Sequence, residues 1–496
     1  MIKKYKKIIL ILLIFIAKFS FILYLGYLDD CKLPLLDKKN IYSYSGDADS
    51  YIKPWENLLT KNVYSLYEDE PYAGRLPFVG LPYFIFRLLF NREISLNLLV
   101  IIQIILSSVS IYYLGQLLIK ILSLSLHNYF QKNLFFYGYL LFSIFSLYVT
   151  YFDYKILSES LATSFLCFFS YHYYIFLNDK RNNSQLLLVG IFLALTTLWK
   201  PYFGLIYLIL GIEFLIYEFK KLKYNYLDSI KKTFVQSLIV FFPLIILDIP
   251  WIVRNYFVFN QFIPFQSDLY AGYRYSDGYK AYMDFTKKIG ESVVFWDKRS
   301  FGCWFESNSN KCDYKVPNRI ISDNLTLEKI QKQRELFIMY RKNSKNDSLE
   351  KAVILGFEKL YEDFKKDNPY TYWILPRIIH LKTFLFHSGS YYFPLHYSSN
   401  CYNFFHFVFK IIQSFFYYIS LILGSLGLVI MWIKYKNTFI LLFIEIFHII
   451  FFPFLLLSDE FRYFHPVYPF LSLGLIFILY LLFKKRYILK KSNHLI

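Results

Sequence analysis

Long apolar runs alternate with short polar segments along most of the chain, and this alternation predicts its secondary structure. A helix needs about 20 predominantly apolar residues to cross a bilayer. Ten runs are candidates for such helices, with approximate limits 7–28, 94–119, 133–151, 157–177, 185–199, 202–218, 234–250, 404–433, 438–457 and 466–483. The first has a longer apolar core than a secretory signal usually has, so we interpret it as an uncleaved helix.

The short polar segments between these runs alternate in charge. Basic segments such as NDKRNNS, KKLKYNYLDSIKK and the terminal KKRYILKK fall at every second helix end. Basic loops are retained in the cytoplasm, which predicts cytoplasmic termini and places two long polar segments, 29–93 and 251–400, outside. The proline-interrupted stretch 76–90 predicts a re-entrant or interfacial segment.

Three regions follow from this topology. Residues 1–250 form a membrane module that includes the outer loop 29–93, residues 251–400 form an outer loop region, and residues 401–496 form the last spans with a basic tail. The middle region contains SLEKAVILGFEKLYEDFKK, whose apolar positions recur at helical spacing. It also contains YWILPRIIHLKTFLF, which suits a helix lying on the bilayer.

Composition supports a membrane protein and excludes a soluble one. The 496 residues are 56% hydrophobic and 22% aromatic but only 18% charged, whereas soluble domains carry about 25% charged residues. The net charge of +19 comes from the loop segments and does not indicate nucleic-acid binding. The fold class is therefore an all-α polytopic membrane protein, and the residue usage is typical of AT-rich genes, which favours a bacterial plasma membrane.

The chain contains five cysteines, and no two have CxxC spacing, so the sequence gives no support for a zinc or redox motif. Cys303 and Cys312 lie in the predicted outer loop region. A disulfide between them and two separate thiols are both compatible with the sequence.

Charged residues are almost absent from the predicted spans but gather at their outer ends. Arginine and lysine there can bind the phosphate of a lipid-linked donor, and a nearby carboxylate can deprotonate an acceptor. The residues in question are Asp47, Asp49, Glu68, Asp69, Glu70, Arg75, Asp153, Lys155, Glu159, Lys200, Asp248, Arg254, Asp459, Glu460 and Arg462.

Each of these residues also has an ordinary structural interpretation. Asp47 and Asp49 precede a helix that Pro54 restricts to a start near residue 49 or 50, so either can be a helix cap. Arg254 follows an interfacial tryptophan, and Arg75 lies in a Gly-Arg-Leu-Pro turn. Glu159 lies in an otherwise apolar run, which makes it the hardest carboxylate to explain as solvated.

Six short motifs occur in order along the chain, at 47–51, 56–59, 75–77, 158–161, 250–255 and 462–469. With these motifs the chain resembles the GT-C glycosyltransferases that use polyprenyl-phosphate sugars. It is most similar to the protein O-mannosyltransferase and aminoarabinose-transferase branch, which includes the RgtA/B/C/D-like domain. The likeness covers about 1–270 and 400–485. Ala48 stands where mannosyltransferases often have glutamate.

The resemblance implies a bundle of ten to thirteen transmembrane helices and specific roles for several residues. Asp47 corresponds to the catalytic base, with Asp49 as its rival, and Glu159 orients the acceptor or holds a basic partner. The donor phosphate is bound by Arg75 and Arg254, with Arg462 and Lys200 as further candidates.

The same resemblance implies a polyprenyl-phosphate sugar as donor, the membrane as surroundings and no cofactor or metal. A divalent cation at the two aspartates stays open, and the acceptor can be a glycan, a lipid or a protein. Other classes are a lipid-linked sugar flippase, a non-catalytic scaffold, and a polysaccharide polymerase or ligase. The last would rely on the large loop, with Arg274, His387 and His396 as candidates.

Overall fold

The protein is helical throughout the part of the chain that the structure describes. The computed structural model describes residues 2–30, 40–44, 46–67, 70–123, 129–178, 182–222, 225–267, 270, 276–293, 300–306, 312–344, 346–386 and 404–493. Within these ranges the backbone forms twenty α-helices and no β-strand, which confirms the predicted all-α class.

The helices are numbered in chain order. They are α1 (Ile2–Asp30), α2 (Ala48–Lys61), α3 (Leu81–Arg87), α4 (Arg92–Ser123), α5 (Tyr129–Phe145), α6 (Leu147–Thr150), α7 (Glu159–Asn178), α8 (Asn183–Trp199), α9 (Leu205–Lys221), α10 (Tyr226–Phe259), α11 (Asp277–Lys288), α12 (Phe301–Glu306), α13 (Leu327–Lys342), α14 (Asp347–Asp367), α15 (Pro369–Trp373), α16 (Leu375–Phe386), α17 (Phe404–Ile419), α18 (Ser425–Lys434), α19 (Phe439–Ile450) and α20 (Tyr468–Asn493).

A helix occupies the position of every predicted span. Among the described residues, seven helical segments are long and apolar enough to cross a membrane, and a bent pair makes an eighth possible. The remaining two positions are occupied by α7 and by the shorter apolar helix α8. The predicted boundary after residue 250 falls inside α10, which continues to Phe259.

The bent pair consists of the segments Gln131–Phe145 and Leu147–Tyr154, which meet at 71°. The break leaves backbone groups without hydrogen-bond partners in the helix, and the side chain of Gln413 takes the place of those partners. Its amide donates to the Phe145 carbonyl at 3.0 Å, and its side-chain oxygen accepts from the Leu147 amide at 2.9 Å. Broken backbone inside a membrane bundle persists where protein groups satisfy it in this way.

Two hydrophobic cores hold the fold together. The larger core runs through the membrane helices. The smaller one lies within residues 279–372 and is built mainly of aromatic rings, including Tyr282, Phe305, Phe337 and Phe357. We call α11 to α16 the satellite helices. A disulfide joins Cys303 to Cys312 in this part of the chain, so the paired alternative is confirmed.

Helix α20 contacts the segment that contains α18 backbone to backbone. A Cβ atom added to Gly427 would lie 2.0 Å from the Gly474 carbonyl oxygen, and one added to Gly474 would lie 2.2 Å from the Gly424 carbonyl oxygen. Small residues allow this close approach between membrane helices. The contact therefore fixes α20, and with it the chain that precedes α20.

A few charged residues lie within the helices at the predicted spans, and one of them forms a buried ion pair. Lys18 lies in the middle of α1, and its ammonium is 2.6 Å from the Asp153 carboxylate, with both side chains buried. Ser160 of α7 donates to the same carboxylate at 2.6 Å. The ion pair joins α1 to the 3-10 helix Tyr151–Tyr154, which contains Asp153. The hydrogen bond from Ser160 extends this connection to the first turn of α7, which begins with Glu159.

Candidate active site

A cavity of about 860 Å³ opens where several parts of the chain meet. Most of its lining comes from the first loop region (residues 29–93), the end of α8, the connector between α19 and α20 (residues 451–467), and α11 of the satellite helices, and Ser158 and Gln266 also line it. Most of these residues belong to segments predicted to lie on one side of the membrane. The volume suits a small-molecule or cofactor-sized ligand.

Asp47 occupies the N-cap position of α2, but its side chain makes no capping hydrogen bond. The carboxylate instead lines the cavity, where it accepts from Nη1 of Arg462 at 2.6 Å. Nη2 of Arg75 lies 3.8 Å from the same oxygen. The cap interpretation of this side chain is therefore wrong.

The two arginines change the acidity of this carboxyl. Burial alone would raise the pKa of Asp47, but the positive charges of Arg462 and Arg75 outweigh burial. Lys200 adds a smaller effect of the same sign, and the pKa lies well below its usual range. Asp47 is therefore ionised in the resting protein.

Arg462 stands between two carboxylates. Its Nε donates to Glu460 at 2.6 Å while Nη1 donates to Asp47. The side chain is 18% exposed and extends from a 3-10 helix at Phe461–Val467. Glu460 and Asp47 thus share the guanidinium of Arg462. The sequence motif alone did not indicate this sharing.

Arg75 lines the cavity and lies over an aromatic ring. Its guanidinium carbon is 5.5 Å from the centroid of the Tyr51 ring, within the range of a cation–π contact. The Tyr51 hydroxyl in turn lies 3.5 Å from the Ser158 hydroxyl. The first and fourth motifs of the sequence thus meet at this point.

Lys200 lines the cavity from the end of α8, and Glu159 lies behind it. The lysine ammonium is 2.7 Å from the Glu159 carboxylate, whose side chain is only 1% exposed. The same ammonium lies 5.3 Å from the centroid of the Tyr463 ring. Glu159 therefore holds Lys200 in place, which matches the second of the two roles predicted for it, and it does not itself line the cavity.

Asp49 also lines the cavity, but different residues hold it. Its carboxylate accepts from the Tyr44 hydroxyl at 2.8 Å. It lies in the first turn of α2 rather than at the N-cap, so the structure does not support it as the helix cap.

Arg254 is placed outside the cavity lining. Its Nη1 donates to the Tyr72 carbonyl at 3.0 Å and its Nη2 to the Tyr64 carbonyl at 3.3 Å. Neighbouring side chains of the same motif act alike, since Trp251 donates to the Phe265 carbonyl and Asn255 to the Ile263 carbonyl. The Pro-Trp-x-x-Arg-Asn motif therefore fastens loop backbone.

Within the described ranges no three His, Cys, Asp or Glu side chains converge as metal ligands would, and the carboxylates of Asp47 and Asp49 point to different partners. Arg274, His387 and His396 lie outside the described residues.

The chain matches a known family over part of its length. Residues 54–268 match the model of the Alg9-like mannosyltransferase family, which is fewer than half of the 496 residues. No curated protein and no solved structure matches the chain. Together with the apolar helices, the family match supports a membrane glycosyltransferase of the GT-C type.

Proposed function

We propose that this protein transfers a sugar from a polyprenyl-phosphate donor to a hydroxyl acceptor, with inversion at the anomeric carbon and with Asp47 as general base. One observation supports the proposal most: an ionised carboxylate lines a cavity together with the three cations that lower its pKa. These cations are Arg75, Lys200 and Arg462. The family match at 54–268 favours mannose as the sugar.

The reaction balances with the residues at this site. The acceptor oxygen attacks the anomeric carbon while its proton passes to an Asp47 carboxylate oxygen. The bond from that carbon to the phosphate oxygen breaks, and the electron pair leaves with the phosphate. Polyprenyl phosphate departs as a monoester with one more negative charge than the donor carried.

The cations stabilise this developing charge. Arg75 and Lys200 face the cavity, and each is supported there, Arg75 by the Tyr51 ring and Lys200 by the Glu159 carboxylate. Preplaced donors of this kind are worth about 3–4 kcal/mol each when removed. Glu159 and Tyr463 then act as positioning residues for Lys200.

The basic helix ends lie opposite to the cavity in the predicted topology, so we place the site on the extracytoplasmic face. The first loop region and the connector would then lie at headgroup depth. A polyprenyl donor embedded in the bilayer places its phosphate at that depth.

Transfer from radiolabelled undecaprenyl-phosphate mannose tests the proposal, with the glucose and aminoarabinose donors as comparison. Membranes or purified protein in nanodiscs are supplied with glycan, lipid and peptide acceptors. Asp47→Asn should lower the release of undecaprenyl phosphate by about 10²–10⁴-fold, the usual contribution of a general base. Asp49→Asn is the matched control, because it removes the same charge two residues away, and it should retain activity within about tenfold.

Two outcomes would contradict the proposal. Unchanged transfer by Asp47→Asn would remove the base assignment. Movement of intact lipid-linked sugar across the bilayer without release of polyprenyl phosphate would instead indicate a flippase.

A further inference from the structure

Arg462 makes two ion pairs that compete for one guanidinium. Its contacts to Asp47 and Glu460 are both 2.6 Å long, and within the described part of the chain it makes no further ion pair. An arginine shared by two carboxylates attracts an incoming anion less than an arginine with one partner, because its charge is already compensated.

The charges nearest to Arg462 balance before any donor binds. Around Arg462, three cations (Arg75, Lys200 and Arg462) face three carboxylates, those of Asp47, Glu159 and Glu460. The wider lining adds two lysines and three carboxylates, namely Lys53, Lys287, Asp49, Glu291 and Asp459. A phosphate that enters must therefore displace a carboxylate from a cation or leave the site with excess negative charge. The Lys200–Glu159 pair is the more deeply buried of the pairs, so the contacts of Arg462 and Arg75 to Asp47 are the easier ones to exchange.

The same pairs limit what Asp47 can do in the resting protein. A carboxylate oxygen that accepts a hydrogen bond from an arginine has that lone pair occupied, and the pKa of Asp47 is held well below its usual range. Such a carboxylate is a weak base. If the arginine moved its contact to a phosphate, the basicity of Asp47 would rise.

We propose that Arg462 moves its contact from Asp47 to the donor phosphate when the donor binds, and that Glu460 sets the balance between these two states. Asp47 then becomes an effective base only in the donor-loaded enzyme. Glu460 is a positioning residue, since it acts through Arg462. This inference rests on the proposed function and adds an order to it: the donor binds first, and base activation follows.

Glu460→Gln tests the inference because it should change binding and turnover in opposite directions. With one carboxylate fewer, Arg462 binds the phosphate more strongly, so the Kd for undecaprenyl phosphate and the donor KM should each fall about fivefold. Arg462 also holds the departing undecaprenyl phosphate more strongly, so its release slows and kcat should fall about fivefold, a factor in the upper range for partly exposed ion pairs. A variant that simply folds less well would not bind the phosphate more tightly.

Asp459→Asn is the matched control for charge alone. Asp459 lines the same cavity one residue away but makes no ion pair with Arg462. Burial, with repulsion from Glu460, raises its pKa to about 6, so at pH 8 it is ionised and both variants remove one negative charge. At that pH Asp459→Asn should not shift Kd and kcat in opposite directions. Glu460→Asp, which keeps a carboxylate, should return both parameters toward wild type.

Binding is measured in nanodiscs with undecaprenyl phosphate alone, which requires no turnover. Opposite shifts in Kd and kcat that are specific to Glu460→Gln would support the inference. Unchanged or weaker phosphate binding by Glu460→Gln, or equal effects of both variants, would overturn it. Protein that binds the lipid phosphate with the expected shift but transfers no sugar would count against the proposed function only.

Discussion

Lys18 offers a sharp test of how the bundle supports the site. Lys18→Met removes the only ion-pair partner that Asp153 has among the described residues, while the side chain keeps a similar length. The Asp153 carboxylate then stays buried, at 1% exposure, with the Ser160 hydroxyl as a remaining donor. We expect a large loss of stability.

The magnitude follows from the geometry. Two unit charges 2.6 Å apart attract with about 6 kcal/mol at an effective dielectric constant of about 20. Desolvation of both groups offsets part of this attraction, and breaking one partner of a buried pair costs about 3–5 kcal/mol. Because Ser160 still bonds to the carboxylate, the lower end, about 3 kcal/mol, is the expected value.

The assay is unfolding of purified protein in mixed detergent micelles, followed by tryptophan fluorescence. Where unfolding is irreversible, the half-life at a fixed temperature replaces the free energy. Lys6→Met is the control, because Lys6 lies on the same helix with an exposed side chain, and it should cost less than about 0.5 kcal/mol.

A double variant separates the pair from general damage. Lys18→Met with Asp153→Asn removes both charges, so it should recover at least about 2 kcal/mol relative to the sum of the single changes. Strict additivity, or a Lys18→Met protein as stable as the Lys6→Met control, would refute the view that this pair holds α1 against the start of α7.

Three further predictions concern the loops and the satellite helices. Arg254→Lys should lower the free energy of unfolding by about 2 kcal/mol, because a charged donor to two backbone carbonyls is lost, yet change the Kd for undecaprenyl phosphate less than twofold; a large change in that Kd would restore Arg254 as a phosphate ligand. The pKa of Asp459 is raised from 3.8 to about 6, so the folded state binds this proton more tightly than the unfolded state. Stability should therefore fall by about 3 kcal/mol as pH rises from about 4 through about 6, and thermal unfolding of Asp459→Asn should lack this slope. Cys303→Ser opens a disulfide of sequence separation 9 and should lower stability by about 2–3 kcal/mol; wild type treated with reductant should match the variant in a thermal unfolding assay.

The membrane helices were the part of the fold that sequence could predict best. Apolar runs have one stable arrangement in lipid, the helix, because no water satisfies backbone groups there. A helix therefore lies at each predicted position. The break between Phe145 and Leu147 was not predictable, since the residue that satisfies it, Gln413, lies far away in sequence.

The candidate site was predictable in its residue types but not in its pairings. Asp47, Arg75, Lys200 and Arg462 all line one cavity, as expected for charges that cannot enter the bilayer cheaply. Which carboxylate holds which cation depends on distances of an ångström or two between different helices.

Other contacts near the site were missed for local reasons. For Arg254, sequence could not show that the carbonyls of Tyr64 and Tyr72 lie within its reach. Lys18 was overlooked because one lysine in a long apolar run looks like an interruption of the pattern. Its position inside the run, away from either helix end, was the signal that it needed a buried partner.

The glycine contacts beneath the connector determine how accurately the bundle must be assembled. The two arginines at Asp47 differ in distance by 3.8 − 2.6 = 1.2 Å, which is less than the length of a carbon–carbon bond. One methyl group added at Gly474 would lie 2.2 Å from the Gly424 carbonyl oxygen and would push α20 from its neighbour by about an ångström, and Arg462 lies just before α20. A single alanine in the hydrophobic interior would then shift Arg462 by a distance comparable with the difference between the two arginine contacts, without any change to a charged residue.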